Sequence, residues 1–254
     1  MADENDVPAL RRTHDLLDVL SRASQPVKAS ALVEMTGTSR STLYLLLDAL
    51  ERRKWIEKRA DGYMIGVTLF EFGNAYVRHD RLLPTFRREA AAFVLRHNEV
   101  VQLAVLDEAQ VVYVAREDAP RPVRLVSDLG SRLPAHCCAL GKALLAGLGD
   151  EAVTALLPPR LEAFTENTLT RRADLLEELA SVRKTGLAIE REEAVSGLVC
   201  FAAFVGVTPL GKRVAVSSSV PIGRLSARQE KQIAVSVVAM ADRIGRVLLD
   251  KQTG

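Results

Sequence analysis

The chain has 254 residues, of which 48% are hydrophobic and 26% charged, a globular balance that excludes a disordered, collagen-like or disulfide-scaffold protein. At about 150 residues per domain, this length holds one or two domains. The 34 Lys and Arg against 32 Asp and Glu leave a net charge of only +2, so any nucleic-acid footprint must be local.

The acidic stretch before Val7 lacks the basic-then-apolar order of a secretory signal, and a cytoplasmic location is expected. From residue 9 to 23, Leu10, Leu16, Leu17 and Leu20 recur at helical period among Arg11, Arg12, Asp15 and Asp18, which predicts a first helix. After Gln25-Pro26, the segment Lys28 to Met35 predicts a short second helix with Ala31, Leu32 and Met35 on one face, and Thr36-Gly37-Thr38 supplies a turn. Thr38 or Ser39 is then placed to cap a third helix, whose Leu43, Leu46, Leu47 and Leu50 follow the i, i+3, i+4, i+7 pattern of a buried face. Two helices about a glycine turn make a helix-turn-helix.

The other face of the third helix carries Arg40, Ser41, Thr42 and Tyr44. These residues suit double-stranded DNA, because the N-terminal part of such a helix meets base edges while hydroxyls and helix-end amides hold phosphates. Downstream, Arg52, Arg53, Lys54, Lys58 and Arg59 put five cations into eight positions. Trp55 to Lys58 and Tyr63 to Ile65 read as two strands around Ala60-Asp61-Gly62, an Asp-Gly hairpin. The hairpin is read as a wing that brings Lys58 and Arg59 to the backbone of a duplex. Residues 9 to 66 hold ten Lys and Arg against seven Asp and Glu, a local excess of three. A lone cation run is usually a solvated helix end; it is the three helices, the turn and the hairpin together that favour DNA.

Thr36-Gly37 followed by Ser41-Thr42-Leu43-Tyr44, with the wing ending Gly62-Tyr63-Met64-Ile65-Gly66, resembles the DNA-binding domain of IclR-type transcriptional regulators. The run from Leu133 to Ala146 resembles the loop-to-helix motif of that family's effector domain. Gly186-Leu187-Ala188 through Glu193, Gly197, Cys200 and Ala202 resembles its second signature, and Ala215 to Pro221 completes the set, so the resemblance spans about residues 9 to 249. It implies an α+β protein: a winged helix-turn-helix over residues 1–66, a linker helix over 67–80 and a GAF-like effector-binding domain over 81–254. It further implies a ligand-responsive regulator that is not an enzyme, read as a repressor, bound as a homodimer or homotetramer to a pseudo-palindromic operator. The expected effector is a small organic metabolite with a carboxylate; no cofactor, metal or membrane is expected. Two positions depart from the family pattern. Leu45 stands where many members carry an arginine, so that either a phosphate or base contact is missing, or the exposed leucine touches a thymine methyl or is covered within the dimer. Phe204 replaces the usual proline after the second signature.

In the linker region Leu69, Phe70, Phe72, Tyr76 and Val77 predict an apolar-striped helix that pairs with another copy. Beyond it, helices are expected over 82–97, 142–147, 151–156 and 171–184, and strands over 100–106, 111–116, 123–127, 198–205 and 213–219. Ser226 and Gln229 form a capping box for a last helix bearing Ile233, Val237, Met240, Ile244 and Leu248. The uncharged run Ala194 to Gly211 has the length of a membrane span, but its late glycines and proline read as a core strand and turn.

Pro134 to Leu140 runs without charge into a helix beginning near Gly141, so the amides of Cys138, Ala139 and Leu140 are expected to point outward, where they attract anions. Ser217 and Ser219, two apart on a strand, face one side of the sheet. Carried over position by position, the resemblance implies effector contacts at Cys138, Ala139, Glu190, Cys200, Ser217 and Ser219, with Val126 and Leu198 as walls. Other members often have aspartate where Glu190 stands. Two competing readings use the thiols: an enzyme with Cys138 or Cys200 as a nucleophile of lowered pKa beside His136, or a redox sensor that oxidises Cys138 and Cys200 together. The residues alone also allow inert core cysteines and a structural His136. Three cysteines and four scattered histidines lack metal-site spacing.

Overall fold

The computed structural model describes residues 6–78, 82–120 and 127–249 and divides the chain into two units, Met1–His79 and Asp80–Gly254. The expected strand over 123–127 and the wall Val126 fall largely outside the described residues.

In the first unit, α1 (Pro8–Arg22), α2 (Ala29–Thr36) and α3 (Arg40–Arg52) precede a hairpin of β1 (Ile56–Arg59) and β2 (Gly62–Ile65), followed by α4 (Val67–Arg78). Pro8 opens α1 at a position where a missing N–H leaves no gap in the helical bonding. One core unites Leu16 and Leu20, Leu32, Leu43, Leu47 and Leu50 with Ile56 and Tyr63. Each buried leucine contributes about 2 kcal/mol, so the apolar spacing suffices to fix the three helices against one another. Two apolar residues expected inside are outside: Leu10 and Met35 are exposed. Leu10 lies in the first turn of α1, ahead of the packed stretch, and Met35 lies in the last turn of α2, where Leu32 fills the core.

The hairpin also differs from expectation. Arg59 pairs with Gly62, so the loop is Ala60-Asp61 and Gly62 belongs to β2. Its role is close approach: Val27 bridges to Tyr63 with paired bonds of 2.8 and 2.9 Å, and a Cβ on Gly62 would lie 2.5 Å from the Val27 carbonyl oxygen. The wing is thereby tied to the segment ahead of α2.

The second unit begins with α5 (Leu82–His97) and builds one antiparallel sheet in the order β5 (Arg132–Pro134), β4 (Gln110–Glu117), β3 (Val100–Asp107), β8 (Arg213–Pro221), β7 (Leu198–Val207), β6 (Ala188–Arg191). Strands β5 and β6 were not foreseen. Helices α6 (Ala139–Ala146), α7 (Asp150–Leu156) and α8 (Arg172–Thr185) share a core with one sheet face, built from Ala104, Ala188, Ala202 and Ala215. These alanines leave room for α6 to approach closely. Alternate residues such as Leu103, Phe201 and Val216 point the other way, the side taken by α5 and α9 (Ala227–Leu249). Helix α9 starts in the expected capping box: Gln229 N donates to Ser226 Oγ at 3.3 Å and Ser226 N to Gln229 Oε1 at 3.0 Å. The run Ala194 to Gly211 is mostly β7, and no helix among the described residues is long and apolar enough to cross a membrane.

Candidate functional site

The first candidate surface is α3 with the hairpin. Gly37 ends α2 in a left-handed conformation (φ 63°), and Ser39 caps α3, its Oγ accepting from Thr42 N at 3.4 Å and donating to Thr42 Oγ1 at 2.9 Å. With Leu43, Leu47 and Leu50 turned inward, Arg40, Ser41 and Tyr44 are left exposed and Thr42 half-buried. Leu45 is 72% exposed. On the hairpin Lys58 and Arg59 are exposed, but Arg59 is held by Glu57 at 2.5 Å, so a phosphate must compete for it. Arg52 is likewise engaged by Asp48 at 2.6 Å, and Arg53 donates to the Ala49 carbonyl at 2.8 Å. The cation cluster is therefore less available than its five charges imply. Helix α4 exposes Phe70, Phe72 and Tyr76, and Phe72 meets Trp55 edge-on at 5.9 Å.

The second candidate site lies in the other unit, where α6, β6, β7 and β8 converge. Cys138, Ala139, Glu190, Cys200, Ser217 and Ser219 all line one cavity, together with Leu198. The register explains this: Cys200 pairs with both Glu190 and Ser219, so three neighbouring strands present these side chains in a row. Cys200 Sγ and Ser219 Oγ are 3.2 Å apart. Helix α6 starts at Ala139, with Cys138 at its N-cap, two residues earlier than the sequence suggests. Its first amides, Ala139 and Leu140, belong to cavity residues.

Three polar walls escaped the sequence reading: Gln102, Tyr113 and Ser127. Gln102 Nε2 donates to Ser127 Oγ at 3.1 Å. The signal was present, since Gln102 is the one polar residue in the run from Val100 to Leu106. The cavity measures about 30 Å³, room for only a few water molecules.

The cavity roof is Ala194-Val195, and its anchoring was not foreseen either. Glu190 Oε1 accepts from Ala194 N at 3.2 Å and from Glu193 N. Thr165 Oγ1 donates to the Glu192 carbonyl at 2.5 Å, and Thr168 Oγ1 to that of Glu193 at 2.6 Å. The side chain of Lys142 is wholly buried, bonded to Glu178 at 2.8 Å and to Glu193. Burial raises the carboxyl pKa of both Glu190 and Glu193, against backbone hydrogen bonds at Glu190 and against Lys142 at Glu193.

A nucleophilic or redox-active thiol needs a lowered pKa, and here the opposite holds. Burial pushes Cys138 up to about 12 against the helping bond from the Gly141 backbone, and raises Cys200 well above its ordinary range. His136 is buried, its Nε2 2.9 Å from the Glu162 carbonyl oxygen.

A winged helix-turn-helix joined to a sheet domain is the architecture of a DNA-binding regulator. Residues 75–246 match the family described as bacterial transcriptional regulator IclR C-terminal, and residues 9–60 match the IclR helix-turn-helix domain. The chain belongs to the IclR family of transcriptional regulators. It is 33% identical to the HTH-type transcriptional regulator Rv1719 of Mycobacterium tuberculosis, over 96% of this chain and 95% of that one. It is 28% identical to the transcriptional repressor IclR of Escherichia coli, over 94% and 89%. Its fold matches an IclR homolog from Microbacterium hydrocarbonoxydans complexed with 4-hydroxybenzoate, at TM-score 0.81 and 21% identity, covering 96% and 100% of the two chains.

Proposed function

We propose that the chain is a repressor that binds a pseudo-palindromic operator as a homodimer or homotetramer and is released or held by a small organic effector in the cavity of its second unit. The observation that carries this reading is the meeting of Cys138, Ala139, Glu190, Cys200, Ser217 and Ser219 around one buried space. The α6 amides suit a carboxylate, and the Ser217 and Ser219 hydroxyls and the Glu190 carboxyl suit further oxygens on the ligand. With about 30 Å³ available, the effector must displace Tyr113 or the Ala194-Val195 roof. Its binding energy thus selects an expanded conformation, which is the differential affinity that regulation requires. Repression is favoured by the named repressor among the relatives, and the carboxylate class by the 4-hydroxybenzoate complex of the Microbacterium homolog. Thiols held protonated are read as cavity walls, and the chain as having no enzymatic task. Arg40, Ser41, Thr42 and Tyr44 are assigned to the major groove and its phosphates, and Lys58 and Arg59 to the flanking backbone. Exposed Phe70, Phe72 and Tyr76 on α4 are assigned to subunit pairing.

The test is a thermal-shift screen of small organic acids, 4-hydroxybenzoate among them, on the wild type and on Ser217→Val, whose two methyl groups take up the free space and remove one hydroxyl. At least one acid should raise the melting temperature of the wild type and leave Ser217→Val unmoved, while operator affinity without ligand stays within about twofold. An acid that stabilises both proteins equally would place the effector elsewhere.

A further inference from the structure

At 3.6 residues per turn, Ser41, Leu45, Asp48 and Arg52 form the line of α3 that faces directly away from Leu43, Leu47 and Leu50, with Arg40 and Tyr44 on one flank. Asp48 and Arg52 are committed to each other at 2.6 Å, and Ser41 Oγ lies 3.3 Å from Ser39 Oγ. Leu45 stands in the middle of the line and is 72% exposed. Folding of the first unit gains almost nothing from this side chain, because a leucine contributes through the apolar area it loses to water. Its surface is left for a partner. In a helix-turn-helix the outward line of the second helix enters the major groove, with its N-terminal half against the base edges. The apolar group presented there by a base pair is the C5 methyl of thymine.

We infer that Leu45 reads the methyl group of a thymine in each operator half-site, which makes it a specificity-determining residue. The inference rests on α3 being the recognition helix. Hydroxyls and cations of the same helix then fix register on the backbone, while Leu45 discriminates thymine from cytosine and from uracil. Tyr44, 56% exposed on the flank, borders the same contact.

The experiment starts from the full-length chain and a random duplex pool, from which the preferred site is enriched. Each thymine of the enriched half-site is then replaced by deoxyuridine, which removes only the methyl, and affinity is read by fluorescence anisotropy at fixed salt. Burial of one methyl is worth about 0.8 kcal/mol, or about fourfold in affinity. One thymine per half-site should therefore weaken wild-type binding about fourfold when replaced. Leu45→Ala should lose at least as much on the thymine-bearing site, be indifferent to deoxyuridine at that position, and keep both its affinity for random duplex and its oligomeric state. Alanine favours helix and Leu45 is exposed, so the variant folds. The inference is overturned if no thymine separates the two proteins in this way, if Leu45→Ala loses random duplex equally, or if it dissociates the oligomer, which would mark Leu45 as an interface residue. A pool that never enriches would overturn the DNA assignment of α3 itself.

Discussion

Lys142→Met should destabilise the second unit by about 3–5 kcal/mol, because it strands a buried carboxylate without its counter-charge. For a unit of this size that is a fall in melting temperature of about 6–20 °C. Glu178 is partly exposed and regains water, but Glu193 is buried, and its Oε2 already lacks a hydrogen-bond partner. The loss depends on pH in a stated direction. Burial raises the Glu193 pKa and Lys142 lowers it, so removing Lys142 raises it further. A carboxyl with a raised folded pKa favours the fold below its unfolded value, and that contribution is lost as pH rises through the folded value. The variant should accordingly lie closer to wild type at pH 5 than at pH 8. Adding Glu193→Gln to Lys142→Met should restore most of the loss, since an unpaired charge is then replaced by a neutral amide. Calorimetric scans of the three proteins at the two pH values decide it. A loss below about 1 kcal/mol, or one independent of pH, would mean that Glu193 is hydrated and the roof of the cavity is not latched by this pair.

Gly141→Ala should destabilise the same unit by about 3 kcal/mol, the upper end of the range for overpacking. On an exposed helix this change stabilises by about 1 kcal/mol, because alanine is the better helix former. Here a Cβ would stand 2.0 Å from the Ala135 carbonyl oxygen and 2.4 Å from Ala135 Cα, both backbone atoms that cannot swing aside. The N-terminus of α6 would have to move, carrying Cys138 and Ala139 out of the cavity wall. Gly73→Ala in α4 is the matched control, since its Cβ meets nothing within 4 Å, and it should gain stability. A Gly141→Ala variant as stable as wild type would show that α6 does not pack against the preceding turn as described.

The same residue shows why the sequence was legible only in part. Long amphipathic helices are plain from apolar spacing: α5 occupies the residues that its pattern predicts, and α9 begins at its capping box. The sequence reading begins α6 near Gly141; the reason a glycine stands there, the Ala135 carbonyl oxygen that would lie 2.0 Å from any added Cβ, exists only in three dimensions. Strands β5 and β6 hold three and four residues, too few to display alternation, so the strand that positions Glu190 could not be seen. Lys142 is the only charged residue between Arg132 and Asp150, a signal that the helix embeds a charge needing a partner. Nothing local reveals that the partners are Glu178 and Glu193, 36 and 51 residues away. The cavity residues came together because resemblance supplied their positions; periodicity supplied only the Ser217 and Ser219 pair.

In the proposed regulator, a ligand in the second unit changes how the first unit holds DNA. The most direct measurement of this is operator affinity by fluorescence anisotropy, without and with the acid that stabilises the wild type, paired with calorimetric affinity for that acid in the absence and presence of operator. One coupling factor of about 5–150 is expected in both measurements, as linkage requires, and none in Ser217→Val at the same acid concentration. An acid that binds the cavity tightly while operator affinity stays constant would contradict it.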